Sequence, residues 1–170
     1  HSAKQAPVYT LRDNKGKVLK TLEDNKSLTE RINALGLSTQ EFFTLTTADG
    51  IELNGYMVKP ADFDATKKYP VIMFQYSGPG SQQVQDSWWI GNGGAALLER
   101  YMAQEGFIAV IVDGRGTGGR GADFEKQTYL KLGQLESHDQ AEVALWLAKQ
   151  PYVDAKHIGI WGWSFGGFNT

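Results

Sequence analysis

The hydrophobic pattern changes period along the chain. Near the N-terminus apolar and polar residues alternate, so Val8 to Arg12 and Lys17 to Leu22 read as short strands. Asp13-Asn14-Lys15-Gly16 between them predicts a hairpin turn, with Gly16 free to take positive φ. Ser27-Leu28-Thr29-Glu30 has the form of a capping box and predicts a helix that ends at Gly36. Glu41 to Thr47 and Ile51 to Lys59 alternate around the turn Ala48-Asp49-Gly50, and Pro60 ends the second strand.

Further on the alternation is lost. Val71-Ile72-Met73-Phe74-Gln75-Tyr76 and Phe107 to Val112 are almost continuously apolar, which suits strands covered on both faces. Ala95 to Glu105 reads as a helix closed by Gly106. Glu136 to Lys149 reads as an amphipathic helix with Ala141, Leu145 and Ala148 on its apolar stripe. His157 to Trp161 is a last buried strand. From residue 41 the elements run β, β, β, α, β, α, β, turn, α. That order predicts an α/β fold, a mainly parallel sheet with helices on both faces. The hairpin at 8–22 stands outside the alternation and reads as the tail of a preceding all-β unit.

Composition narrows the picture. The 170 residues suffice for one domain or part of a larger one, and 41% hydrophobic with 12% aromatic content can bury a core. With 17 basic and 19 acidic residues the net charge is −2, so a nucleic-acid partner is not expected. No apolar run approaches the roughly 20 residues of a membrane span. The chain starts at His1 rather than Met and carries no leader pattern, so His1-Ser2-Ala3-Lys4 reads as an interior cut or a tag scar. The absence of cysteine excludes disulfides and thiolate metal sites and leaves the compartment open. There is no H-E-x-x-H run, and no metal or cofactor is expected.

The candidate chemistry is concentrated at Gly162-Trp163-Ser164-Phe165-Gly166-Gly167. A buried strand precedes these residues and a helix is expected after them. Strand, Gly-x-Ser-x-Gly and helix together form the nucleophile elbow of an α/β-hydrolase. Gly162 and Gly166 are the two places where so tight a turn leaves no room for a side chain. Ser164 is the candidate nucleophile, and the Phe165 N–H is a candidate oxyanion donor. Tyr76 ends a buried strand and leads into Ser77-Gly78-Pro79-Gly80-Ser81-Gln82. Two readings fit it: a hydroxyl donor completing the oxyanion hole, or a rim tyrosine whose hydroxyl meets water.

Other motifs carry less. Gly116, Gly118 and Gly121 satisfy G-x-G-x-x-G after a strand. A dinucleotide fingerprint also needs a second strand ending in an acid about 20 residues on, and 122–152 reads as helix and loop. The run is therefore expected to be a tight loop at the sheet edge, with Asp113 and Arg115 bracing each other. Trp88-Trp89 in a polar loop reads as a substrate wall or, as is commoner for loop aromatics, an anchor for a neighbouring domain. His138 is expected at the surface or as a cap, and His157 as a packing histidine. In this fold the acid and histidine of the triad follow the serine, yet His1, His138 and His157 all precede it. The acid and the histidine are thus expected beyond Thr170, and the chain is expected to be inactive alone. Its last strand should have an unpaired edge that invites a missing C-terminal segment or self-association.

The elbow Gly-Trp-Ser-Phe-Gly-Gly, the loop Tyr76-Ser77-Gly78-Pro79-Gly80-Ser81-Gln82 and Asp113-Gly114-Arg115-Gly116 together resemble the dipeptidyl peptidase IV branch of the prolyl oligopeptidase family. Leu132-Gly133-Gln134, His138-Asp139-Gln140 and Leu22-Glu23-Asp24-Asn25 are similar to that branch as well. The resemblance implies a serine exopeptidase with a β-propeller capping an α/β-hydrolase domain. Residues 1–26 would end the propeller, and 27–170 would be the N-terminal part of the hydrolase domain. It implies release of Xaa-Pro or Xaa-Ala dipeptides from free N-termini, with Ser164 acylated and Tyr76 as the side-chain oxyanion donor. Phe165, where the branch usually has tyrosine, would give its N–H to the oxyanion and a ring edge to the proline pocket. A homodimeric, extracytoplasmic parent is implied too. A tripeptidyl peptidase is the nearest enzymatic alternative, and an inert interaction fragment the non-enzymatic one.

Overall fold

The computed structural model describes residues 2–88 and 95–170. Strands β1 (Tyr9–Arg12) and β2 (Val18–Glu23) pair antiparallel. Asp13 closes their turn by accepting the N–H groups of Lys15 and Lys17 at 2.9 Å, and Gly16 takes φ +83°. This hairpin forms a sheet of its own, and every residue of β2 is exposed.

Helix α1 (Lys26–Ala34) begins before the expected capping box. Asn25, not Ser27, is the cap, in the left-handed region at φ 49° and without a side-chain cap bond. The helix starts early because Asp24 accepts the Lys26 N–H at 3.0 Å, while Asn25 Nδ2 donates to the Pro7 carbonyl at 2.8 Å. Ser27 is thereby drawn inside the first turn.

The main sheet has the order β3-β4-β6-β5-β7, with β3 (Glu41–Thr46), β4 (Glu52–Val58), β5 (Tyr69–Gln75), β6 (Ile108–Asp113) and β7 (Val153–Gly162). It is mixed rather than mainly parallel. β5 runs parallel to both β6 and β7, but β3–β4 and β4–β6 are antiparallel. A turn as short as 47–51 can only return the chain antiparallel, and β4 then docks on β6 in that sense. Among the described residues β7 pairs with β5 alone, so its far edge is open.

Helices cover both faces, as the alternation of the strands requires. Met57, Val71, Met73, Ile108, Val110 and Val112 pack with Val143 and Leu147 of α4 (Gln134–Ala148). Their neighbours Tyr56, Val58, Phe74, Ala109 and Ile111 pack with Ala103 of α2 (Ala95–Gln104). A short α3 (Ala122–Glu125) and a 3-10 turn (Lys126–Thr128) precede α4, and α5 (Phe165–Asn169) follows β7.

The inward stripe of α4 differs from the expected one. Glu136, Asp139, Gln140, Val143 and Leu147 are buried, whereas Ala141 and Leu145 are exposed. The N-terminal half of the helix buries polar groups that each find a partner through at least one atom, while Glu136 Oε1 and Gln140 Oε1 are left without one. Glu136 accepts the Gly133 N–H at 2.9 Å, and Gln140 Nε2 donates to the Val112 carbonyl at 3.1 Å. Buried polar groups with partners cost little, and a hydropathy pattern cannot see them.

Candidate functional site

β7 ends at Gly162, and α5 begins at Phe165. Between them the chain turns within two residues. Ser164 sits at the apex with φ 54° and ψ −118°, a conformation that L side chains seldom take. Its backbone is held from the helix side, where the Phe168 N–H donates to the Ser164 carbonyl at 3.1 Å and Gly166 to Trp163 at 2.9 Å. The Ser164 side chain is exposed. Phe165 occupies the first helical position, where an N–H has no partner within its own helix.

Contact, not only φ, explains the two glycines. A Cβ on Gly162 would run into the Gly166 carbonyl group and come within 2.9 Å of the Gln75 oxygen. A Cβ on Gly166 would overlap the Gln75 oxygen and stand 3.0 Å from Tyr76 Cα. The elbow is therefore folded directly onto the tip of β5. Gln75 and Gly162 are also register partners, so the residues after them leave the sheet side by side.

Tyr76 follows that tip. It packs against the buried cluster that includes Phe74 and Ile111, and its ring covers Gly78, whose missing side chain would collide with it. Ser77 is strained at φ 58°, and its buried hydroxyl donates to Gln75 Oε1 at 3.0 Å. Gln75 Nε2 in turn donates to Thr170 Oγ1 at 3.3 Å, which ties the end of α5 to the same strand tip. The three residues singled out from the sequence, Ser164, Phe165 and Tyr76, are thus gathered at the C-terminal ends of two neighbouring parallel strands.

The glycine-rich run after β6 does not brace itself. Arg115 and Asp113 make separate contacts. Buried Arg115 grips buried Asp139 of α4, with Nε at 3.0 Å and Nη2 at 2.5 Å from Oδ1, and its own N–H reaches Oδ2 at 2.7 Å. Nη1 reaches Asp49 at 2.8 Å. The hydrogen bond to Asp139 raises the guanidinium pKa above its ordinary value. The Asp49 carboxyl is lowered, first by the Thr47 hydroxyl and then by Arg115. Asp113 instead accepts two N–H groups of the loop after Tyr76. Burial pushes its carboxyl up to about 6, although those N–H bonds oppose the shift. Residues 122–152 form α3, the 3-10 turn and α4 before β7, with no strand between, so the second strand of a dinucleotide fold is missing there.

The histidines lie elsewhere. His138 is half-exposed, with Nε2 3.8 Å from Asp49 Oδ1. His157 is not a packing residue: its exposed ring points off β7 and meets Asp154 Oδ2 at 2.7 Å. Its strand begins earlier than expected, at Val153, and its register with β5 shifts between Val153 and Ile158, the stretch that carries His157. Among the described residues no histidine is hydrogen-bonded to Ser164, and no group of three His, Asp or Glu could hold a metal. No described helix is long and apolar enough to cross a membrane. Trp88 is half-buried and lines a small pocket with Ala3 and Lys4. Trp89 lies outside the described residues.

One polar cluster gives no sequence signal. Glu99 of α2 is buried against Tyr56 of β4, whose hydroxyl donates to it at 3.0 Å. Burial pushes the Glu99 carboxyl up to about 7, offset in part by Tyr56 and by Arg100. In the sequence Glu99 stands in a helical pattern like any solvent-facing glutamate.

Residues 97–170 match the profile of the prolyl oligopeptidase family. Over 99% of its length the chain superposes on the crystal structure of Porphyromonas gingivalis dipeptidyl peptidase 4, with a TM-score of 0.92 and 47% identity. The chain belongs to the prolyl oligopeptidase family. Within that family it is similar to the dipeptidyl peptidase IV branch. A Trichophyton verrucosum protein named "Probable dipeptidyl-aminopeptidase B" is 41% identical over 158 residues, 92% of this chain. An Aspergillus flavus protein named "Probable dipeptidyl peptidase 4" is 38% identical over 160 residues, again 92% of this chain. The chain spans 17% and 20% of the length of these two curated relatives and 23% of the crystallised one.

Proposed function

We propose that this chain is the nucleophile-bearing part of a serine exopeptidase that releases N-terminal dipeptides ending in proline or, less readily, alanine. The observation that carries the reading is Ser164 itself, exposed and strained at the apex of a strand–turn–helix elbow. Residues 27–170 are read as the N-terminal part of an α/β-hydrolase domain, and residues 1–26 as the last strands of a β-propeller. The separate hairpin sheet of β1 and β2 supports that division.

In this reading Ser164 Oγ attacks the carbonyl carbon after the penultimate proline. Its proton passes to a histidine base that other parts of the parent protein supply, held by an acid. The oxyanion is stabilised by the Phe165 N–H and the Tyr76 hydroxyl, which reward the tetrahedral intermediate more than the planar substrate. The base returns the proton to the leaving amine, and water then cleaves the acyl-enzyme. The Phe165 ring lines the proline pocket, without the hydroxyl that a tyrosine there would add.

The test compares a free Xaa-Pro anilide with the same compound acetylated at its amine, using the full-length protein. A strong preference for the free amine, abolished by Ser164→Ala, is expected. Equal rates would remove the dipeptidyl reading, and a preference for substrates one residue longer would favour a tripeptidyl peptidase.

A further inference from the structure

The loop that carries Tyr76 is held by the segment that looked like a nucleotide motif. Three bonds run from Asp113 at the end of β6 to that loop. Gln83 N–H donates to Oδ1 at 3.1 Å and to Oδ2 at 3.0 Å, and Val84 N–H donates to Oδ2 at 2.8 Å. Beyond Asp113 the backbones zip together, Gly80 N–H to the Gly116 carbonyl at 3.0 Å and Gly118 N–H to the Ser81 carbonyl at 2.8 Å. The glycines permit that approach. A Cβ on Gly118 would stand 2.6 Å from the Gly80 oxygen, and one on Gly119 would stand 2.8 Å from the Gln82 amide group. Gly116 fits against Thr128 in the same way, which fixes the far side of the run to the 3-10 turn.

We infer that Asp113 is a positioning residue for the oxyanion hole: with the Gly116–Gly119 backbone it sets the 77–84 loop, and through it the Tyr76 hydroxyl. The inference rests on the reading of Tyr76 as an oxyanion donor. A carboxylate suits the task because it accepts several N–H groups at once and takes no proton from the loop. The buried site makes each bond costly to lose, so the loop has one arrangement rather than several.

The test is a double-mutant cycle in the full-length protein with a chromogenic Xaa-Pro substrate. Tyr76→Phe removes one oxyanion donor, for which a loss of about 100-fold in kcat is expected. Asp113→Ala is expected to lower kcat about 10-fold or more with KM nearly unchanged, because a misplaced oxyanion donor is felt only in the transition state. The double variant is expected to be no slower than Tyr76→Phe alone, since the positioned group is already gone. If Asp113→Ala folds poorly, Gly118→Ala displaces the loop from the Gly80 side and must show the same kcat loss and the same non-additivity. Independent, multiplying losses would overturn the inference while leaving Tyr76 as a donor, and so would a full-rate Asp113→Ala. A full-rate Tyr76→Phe would overturn the donor reading itself, and the inference with it.

Discussion

The carbonyl oxygen of Gln75 occupies the space that a Cβ of Gly166 would need. The last residue of β5 thus determines how closely α5 can approach, and hence where Ser164 stands. Backbone cannot yield as a flexible side chain can, so Gly166→Ala must push the elbow off the strand tip, an overpacking cost of about 1 to 3 kcal/mol. The neighbouring Gly167 has only the Gly162 oxygen at 3.4 Å to meet. The expected outcome is that Gly166→Ala loses labelling of Ser164 by a fluorophosphonate, while Gly167→Ala retains most of it. Labelling rates in the full-length protein check this, and equal rates for the two variants would refute it.

The strain at Ser164 makes a second prediction. At φ 54° and ψ −118° a residue with a Cβ stores about 1 to 3 kcal/mol, and glycine stores little. Ser164→Ala and Ser164→Gly both remove the hydroxyl, but only the glycine variant relieves the strain. Glycine also loosens the unfolded chain, by roughly 0.5 to 1 kcal/mol. The glycine variant is therefore expected to melt at or above the alanine variant, contrary to the usual order. Paired thermal melts measure this, and a glycine variant clearly below alanine would mean that the turn is unstrained.

How much of this was legible in the sequence depends on who the partners are. The elbow could be read because its requirements are local: a strand, two glycines four apart and a helix. The strands were legible because burial on one face or both leaves a periodic trace. The stripe of α4 was not, because Asp139 and Gln140 are buried against partners far along the chain, Arg115 and Val112. The same holds for Arg115, whose proximity to Asp113 in sequence suggested a pairing that the structure does not make. Its partners Asp139 and Asp49 lie 24 and 66 residues away. Charge complementarity between distant segments leaves no period, so only the fold reveals it.

That long-range pairing is expected to matter for stability. Arg115 and Asp139 are both buried, and removing one leaves the other uncompensated, at a cost of about 3 to 5 kcal/mol. Arg115→Ala should lower the unfolding free energy from urea titration by an amount of that size, seen as a lower midpoint at unchanged slope. Arg115→Lys keeps the charge but loses the planar fork that meets Asp139 at two nitrogens, so its loss should be smaller but clear. Coinciding midpoints for Arg115→Lys and the wild type would show that the fork contributes nothing beyond charge.

The Glu99–Tyr56 contact predicts a dependence on pH. The Glu99 carboxyl titrates near 7 in the folded protein, against 4.5 for a free side chain. The folded state therefore holds this proton more tightly than the unfolded chain does. The stability it contributes is fully present below about 4.5 and is lost as the pH rises through about 7. At 1.36 kcal/mol per unit the effect is on the order of 3 kcal/mol. Glu99→Gln keeps a partner for the Tyr56 hydroxyl but cannot titrate. The stability of the wild type relative to Glu99→Gln should then fall steadily between those two pH values, whatever Asp113 and the other acids do to both proteins alike. Urea unfolding of the pair at half-unit intervals measures the difference. A difference that stays flat across the window would mean that Glu99 is ionised at its ordinary pH despite its burial, and that Arg100 and Tyr56 compensate the charge.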